Sequence, residues 1–308
     1  MPDAALRFTD VRKRFGKTEA LAGLTLEIPR GSFFGLIGPN GAGKTTAFSI
    51  ACGFLKPDAG GIEILGEPGF DPARLKGRVG ASPQDAALGR ETRCLEHLVY
   101  FARLQGMTAA EARRQAERVL AEVGLSDRAA SRVKALSHGM LRRLAVGQAL
   151  LGTPELVLLD EPTSGLDPRN VHELRELLRG IRAEGRTVVV SSHNLHELEM
   201  LCDHVAFLSR GVSIAAGPTE TLTGKGEEVE IALGQGPAPV ESVRRALPED
   251  QVAWDEARRV VRISFTPLPG RQAEEVIGAA ARALLDAGAR IAGVRRGRTL
   301  EQKFLEMT

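Results

Sequence analysis

Two short stretches of this sequence carry residue types that act on phosphate. The first is Gly38-Pro39-Asn40-Gly41-Ala42-Gly43-Lys44-Thr45, a complete G-x-x-x-x-G-K-[ST] pattern. Its glycines let the loop wrap so that backbone N–H groups point inward at a polyphosphate, and the helix that follows aims its positive end at the same place. Lys44 then reaches the β- and γ-phosphates, the Thr45 hydroxyl holds Mg²⁺, and the nucleotide contacts extend to Thr46. The second stretch is Leu156-Val157-Leu158-Leu159-Asp160-Glu161, an apolar run ending in two acids. Such a run suits a strand buried on both faces, and acids at its carboxyl end stand at the mouth of an open α/β sheet, where ligands bind. Asp160 is placed to hold the Mg²⁺ shell and Glu161 to orient and polarise the attacking water.

These residues need a sheet and helices to hold them. The run Ser32-Phe33-Phe34-Gly35-Leu36-Ile37 reads as a buried strand leading into the phosphate-binding loop, with an apolar helix following from about Lys44 to Gly53. Upstream, Leu6-Arg7-Phe8 and Leu24 to Ile28 read as short strands separated by polar turns, and Gly61 to Gly66 as another. From Glu91 to Leu125 the spacing turns helical, with Ala112, Ala116, Val119, Leu120 and Val123 on one stripe. Strand and helix patterns then alternate through Leu156–Leu159, Val171–Arg182, Thr187–Val190, Leu195–Leu201 and Val205–Leu208, which predicts a mainly parallel sheet covered by helices.

Past Gly217-Pro218 the texture changes again. Gly224-Lys225-Gly226 reads as a linker. Beyond it come strand (Val229–Leu233), helix (Val240–Leu247), strand (near Gln251–Trp254), strand (Val260–Phe265), helix (Gln272–Ala287) and strand (Arg290–Val294), the order of a ferredoxin-like unit, and then a short helix, Leu300–Met307.

The bulk composition narrows the setting. The 308 residues carry 41 basic and 39 acidic side chains, a formal net charge of +2, with none of the basic excess expected of a nucleic-acid binder. Cys52, Cys94 and Cys202 are too few and too scattered for a disulfide framework or a metal site, which points to a reducing compartment. The N-terminal residues Met1 to Arg7 hold no apolar h-region, so no signal peptide is expected, and no uncharged apolar run is long enough to span a bilayer. If the chain serves transport, another polypeptide must supply the pore.

With those residues in view, the sequence resembles the ABC ATPases over roughly residues 4 to 218. Pro162-Thr163-Ser164-Gly165-Leu166-Asp167 is similar to the family's D-loop, and Leu136-Ser137-His138-Gly139-Met140 to its signature, usually Leu-Ser-Gly-Gly-Gln. Gln84 resembles the Q-loop glutamine, a catalytic residue and Mg²⁺ ligand, and His193 resembles the switch histidine that contacts the γ-phosphate and fixes Glu161 and water. Phe15 stands where the family places an aromatic ring against adenine.

The resemblance implies a nucleotide-binding domain over residues 1–222, with an antiparallel β subdomain and a helical subdomain at about 86–140, and an accessory βαββαβ domain over 227–308. It implies ATP and Mg²⁺ as cofactors, ATP sandwiched between the P-loop of one copy and the signature residues Ser137 and Gly139 of another, and Asp167 among the nucleotide-binding residues. It also implies separately encoded transmembrane permease subunits that hold the chain at the cytoplasmic face of the membrane, with the segment Asp85 to Leu95 as their docking region. His138 and Met140 depart from the usual signature, while the phosphate-facing Ser137 and Gly139 are intact; Met140 and the C-terminal unit resemble drug- and antibiotic-export members. The expected activity is therefore ATP hydrolysis driving an exporter, with an importer ATPase or a soluble ribosome or DNA-repair ATPase as alternatives.

Overall fold

Phe33–Ile37 is buried at every position, and so are Leu156–Asp160 and Thr187–Ser192. Strands with both faces covered belong in the middle of a parallel sheet, and these three lie side by side within a six-stranded sheet. In that sheet's order, Val212–Pro218 is followed by His204–Ser209, Phe33–Ile37, Thr187–Ser192, Leu156–Asp160 and Val79–Ser82. All pairings from His204–Ser209 to Val79–Ser82 are parallel. Each fully buried Leu or Phe side chain along them contributes roughly 1.5–3 kcal/mol from removal of apolar surface from water.

The structure, a computed structural model, describes residues 4–84, 86, 88–223, 228–266, 272–297 and 299–307, and the chain divides into two units between Ala216 and Gly217. The division falls a little before the boundary expected at 222. The expected linker Gly224-Lys225-Gly226 lies outside the described residues.

A second sheet in the first unit is antiparallel, with Thr18–Pro29, Ala4–Phe15, Ala59–Ile64 and Glu67–Pro68 as neighbours in that order. Its first two strands are much longer than the sequence pattern predicts. Register shifts around Phe8/Val11, with Asp10 at φ +45°, break the alternation that would have revealed a single strand. Phe8, Leu24, Phe34, Leu36, Phe48, Ile50 and Leu158 belong to one core, so both sheets clamp the helix Lys44–Ala51.

The helical segment holds Cys94–Leu104 and Ala109–Glu122, the latter burying Ala112, Ala116, Val119 and Leu120 as the stripe predicts. Thr108 caps it in a reciprocal capping box with Glu111. The expected limit at residue 140 falls inside a helix that runs His138–Ala149.

The second unit has a four-stranded antiparallel sheet in the order Gln251–Asp255, Val260–Ser264, Glu228–Leu233, Ile291–Arg296. Helices Val240–Ala246 and Ala273–Asp286 complete a βαββαβ sequence of elements, and Leu300–Met307 closes the chain. Trp254 packs against this unit's core, with the Arg259 guanidinium 5.8 Å from its ring centroid.

Candidate functional site

Strand register brings the functional loops together. Ile37 pairs with Ser192 and Asp160 with Ser191, so the phosphate-binding loop, the two acids and His193 all leave the same edge of the sheet on adjacent strands. Between them lies a cavity of about 540 Å³. Its walls include Asn40 to Thr46 on one side and Gln84, Glu161, Ser164 and His193 on the other. Thr18 and Ala20 of the antiparallel sheet close it along the hairpin.

The loop's glycines have a structural cause. Gly43 caps the helix Lys44–Ala51 at φ +104°, a conformation side chains disfavour. A Cβ there would also lie 2.6 Å from the Ala20 carbonyl oxygen and 2.8 Å from Leu21 Cδ2. The helix start is thereby pressed onto the antiparallel sheet, and its free N–H groups face the cavity. Lys44 is buried and its Nζ donates to the carbonyls of Gly38 at 2.7 Å and Pro39 at 3.2 Å. Burial pulls the Lys44 ammonium below its ordinary value, opposed by the carboxylates of Glu161 and Asp160.

The acids face the loop from a rigid base. Asp160 and Glu161 are both buried. Glu161 adopts φ +48°, an uncommon backbone for a non-glycine residue, at the turn where the strand ends. Its Oε2 lies 2.9 Å from His193 Nδ1, and that imidazole is 64% exposed at the cavity mouth. A carboxylate buried on one side and paired with an exposed imidazole on the other can hold a water molecule in one orientation.

Ser191 was not singled out by sequence reasoning, yet it anchors both acids. Its fully buried Oγ donates to Asp160 Oδ1 and accepts from the Glu161 backbone N–H at 3.0 Å. The serine pair before His193 was the only signal, and strand alternation decides between its members: Ser192 instead accepts from the Asn194 N–H at 3.0 Å.

Not every expected residue meets the cavity. Phe15 lies next to it in the hairpin, 49% exposed, paired with Thr18 and with Lys13 Nζ 5.8 Å from its ring centroid. Gly38 and Pro39 contribute their carbonyls to Lys44. Ser137, Gly139 and Asp167 stand apart from the cavity. Ser137 caps the helix His138–Ala149, accepting from the Met140 N–H at 3.3 Å, and Asp167 caps the helix Pro168–Ala183. The Arg142 guanidinium donates to the Gln84 carbonyl at 2.5 Å, tying the signature helix to the Q-loop. Of the segment Asp85 to Leu95, Asp85 and Ala87 lie outside the described residues.

The donor set suits magnesium. Thr45 and Asp160 also share a smaller cavity of about 200 Å³ with Gln84, so hydroxyl, amide and carboxylate oxygens are available together. Among the described residues no group of three or more His, Cys, Asp or Glu side chains could hold a metal. A divalent ion here would depend on substrate phosphates for part of its shell, as Mg²⁺ commonly does. All three cysteines are free thiols; Cys52 also lines this smaller cavity, where burial, followed by the Asp160 charge, pushes it up to about 12.

A glycine-rich turn between a buried strand and a helix, facing a buried acid pair at the end of the strand two places along the sheet, defines a P-loop ATPase. Comparison with known proteins sharpens the class. A family model described as ABC transporter matches residues 21–164. The chain is 39% identical over 241 residues to Nod factor export ATP-binding protein I of Paraburkholderia xenovorans, covering 78% of this chain and 79% of that one. It is 34% identical over 312 residues to daunorubicin resistance ATP-binding protein DrrA3 of Streptomyces coeruleorubidus, covering 100% of this chain and 97% of that one, C-terminal unit included. A solved dimeric ATP-binding cassette in a post-hydrolysis state, bound to ADP and Pi, superposes with a TM-score of 0.63 at 25% identity over 70% of this chain and 98% of its own. The chain belongs to the ABC transporter family, as an ATP-binding subunit that hydrolyses ATP. Among its described residues no helix is long and apolar enough to cross a membrane.

Proposed function

We propose that this chain binds MgATP against Lys44 and the phosphate-binding loop, hydrolyses it with Glu161 as the group that orients and deprotonates water, and works as a homodimer. The dimer drives export through separately encoded permease subunits at the cytoplasmic face of the membrane. The observation that carries the reading is the convergence of Lys44, Glu161 and His193 on one cavity, with the last two 2.9 Å apart. Lys44 neutralises phosphate charge, the loop amides bind phosphate oxygens, and Glu161 aligns the nucleophile with His193 holding its carboxylate. Thr45, Gln84 and Asp160 would hold Mg²⁺, which would supply neutralisation of phosphate charge. Phe15 offers a ring face beside the loop for adenine.

Residues that this cavity leaves outside it support the homodimer reading. Ser137, Gly139 and Asp167 present polar groups at two helix starts that their own cavity does not use. A second copy, related by a two-fold axis, brings them to the nucleotide, and C2 symmetry completes both sites at once. Binding then closes the pair and hydrolysis opens it, a two-state element biased by ligand. Export is favoured over import because the relatives are an export protein and a resistance protein. The test is Glu161→Gln, an isosteric change that removes the proton acceptor. We expect turnover to fall about 10²–10⁴-fold with MgATP still bound and the dimer trapped. Turnover within threefold of the unaltered chain removes Glu161 from this role.

A further inference from the structure

The corner where two helix starts meet, apart from the cavity, is tied together by a residue that the mechanism so far leaves idle. Helix His138–Ala149 carries Ser137 as its cap and Gly139 in its first turn, and helix Pro168–Ala183 carries Asp167 as its cap. Asn170 bridges them. Its backbone N–H donates to Asp167 Oδ1 at 3.0 Å and its side-chain Nδ2 to Asp167 Oδ2 at 2.5 Å, so one residue holds both carboxylate oxygens. The same amide lies against Gly139, where an added Cβ would stand 2.0 Å from Asn170 Oδ1 and 2.3 Å from its Cγ. The missing side chain at 139 is the space that Asn170 fills.

Two further contacts join the same elements. An added Cβ at Gly165 would lie 3.2 Å from His138 Cε1. Arg143 Nη2 lies 3.7 Å from Glu173 Oε2, and the same carboxylate accepts from Arg169 Nε at 3.1 Å. The bonds from Asn170 also hold the Asp167 carboxyl below the usual carboxylate range, which keeps it ionised.

We propose that Asn170 is a positioning residue: it locks the Asp167 carboxylate and the signature glycine into one rigid corner, so that both are presented to the second copy's nucleotide together. The inference rests on the shared-nucleotide reading above. Ordering Asp167 in advance removes a cost that closure would otherwise bear, because a side chain immobilised only at an interface loses rotamer freedom there. Without the Asn170 side chain the carboxylate keeps its backbone bond at Oδ1 but loses the one that fixes Oδ2, and the space beside Gly139 opens.

The test uses the full chain carrying Glu161→Gln, with MgATP-driven dimerisation followed by sedimentation and MgADP affinity followed by calorimetry. In that background Asn170→Ala raises the ATP concentration needed for half-dimerisation about tenfold, the effect of losing a charge-assisted hydrogen bond. MgADP affinity stays within about twofold, because Asn170 does not line the cavity. Asn170→Asp, the same size but unable to donate a side-chain bond to Asp167, weakens dimerisation at least as much and guards against a simple packing defect. Gly139→Ala adds a coupling measurement: it costs less dimerisation alongside Asn170→Ala than alone, since the overlapping amide is gone. Dimerisation by both Asn170 variants at the parent's ATP concentration overturns the inference and leaves the shared-nucleotide reading intact. A Glu161→Gln parent that stays monomeric sinks that reading and this inference with it.

Discussion

Replacing Ser191 by alanine removes one hydroxyl from a fully buried position and breaks two bonds at once. Asp160 loses a donor to its charge, a loss of about 1.5–3 kcal/mol for a hydrogen bond to an ionised group. The Glu161 amide loses its acceptor at 3.0 Å, which leaves a buried N–H unsatisfied at a further cost of about 1–3 kcal/mol. The two effects share one hydroxyl and overlap, so a total near 3 kcal/mol is expected. For a unit of this size each kcal/mol moves Tm by about 2–4 °C, so melting should fall by roughly 6–12 °C. Turnover should fall further than stability alone dictates. Glu161 holds a left-handed backbone at φ +48° that Ser191 pins, and a shift of about 1 Å in a positioning group costs on the order of 10²-fold. Differential scanning calorimetry and phosphate release measure the two quantities, with Ser192→Ala, which removes only the bond from Asn194, as the control. If Ser191→Ala melts within 2 °C of the unaltered chain and turns over within about twofold, the anchoring role of Ser191 is wrong.

Other outcomes follow from the same geometry. Gly43→Ala should lose nucleotide binding by calorimetry and melt lower, because φ +104° disfavours a side chain and the new Cβ meets the Ala20 carbonyl at 2.6 Å; native-like binding would contradict the strand–loop clamp. Half-buried Cys52, pushed up to about 12, should react with iodoacetamide at pH 8 about a thousandfold more slowly in the folded chain than after unfolding, and rapid labelling by mass spectrometry would contradict the raised pKa. Glu161→Gln should separate nucleotide binding from turnover, as set out above.

The phosphate-binding loop pattern and the acid-ended strand were legible in the sequence because their residue types sit at fixed spacing. The loop at 38–45 and the apolar strand ending in Asp160-Glu161 needed no long-range information. The parallel sheet and the βαββαβ order of elements were likewise readable from periodicity. The hidden parts depend on register or on contacts between distant segments. Strand Ala4–Phe15 was masked by its bulges, since a shifted register scrambles the period-two pattern. Ser191 and Ser192 look alike in the sequence, and only the strand's pleat turns one toward Asp160. The fit of Asn170 against Gly139 joins residues 31 apart, and neither residue type announces the other.

If each nucleotide pocket needs residues from two copies, mixing two inactive variants restores activity. Lys44→Ala disables the loop side of the pocket and Gly139→Ala the signature side, so each alone should be nearly inactive. With two-fold symmetric pairing, an equimolar mixture forms about half mixed dimers, each with one pocket assembled from two intact halves. ATP hydrolysis should then return toward about a quarter of that of the unaltered chain. A mixture as inactive as its parts, with mixed dimers shown by cross-linking to be present, would contradict the shared pocket.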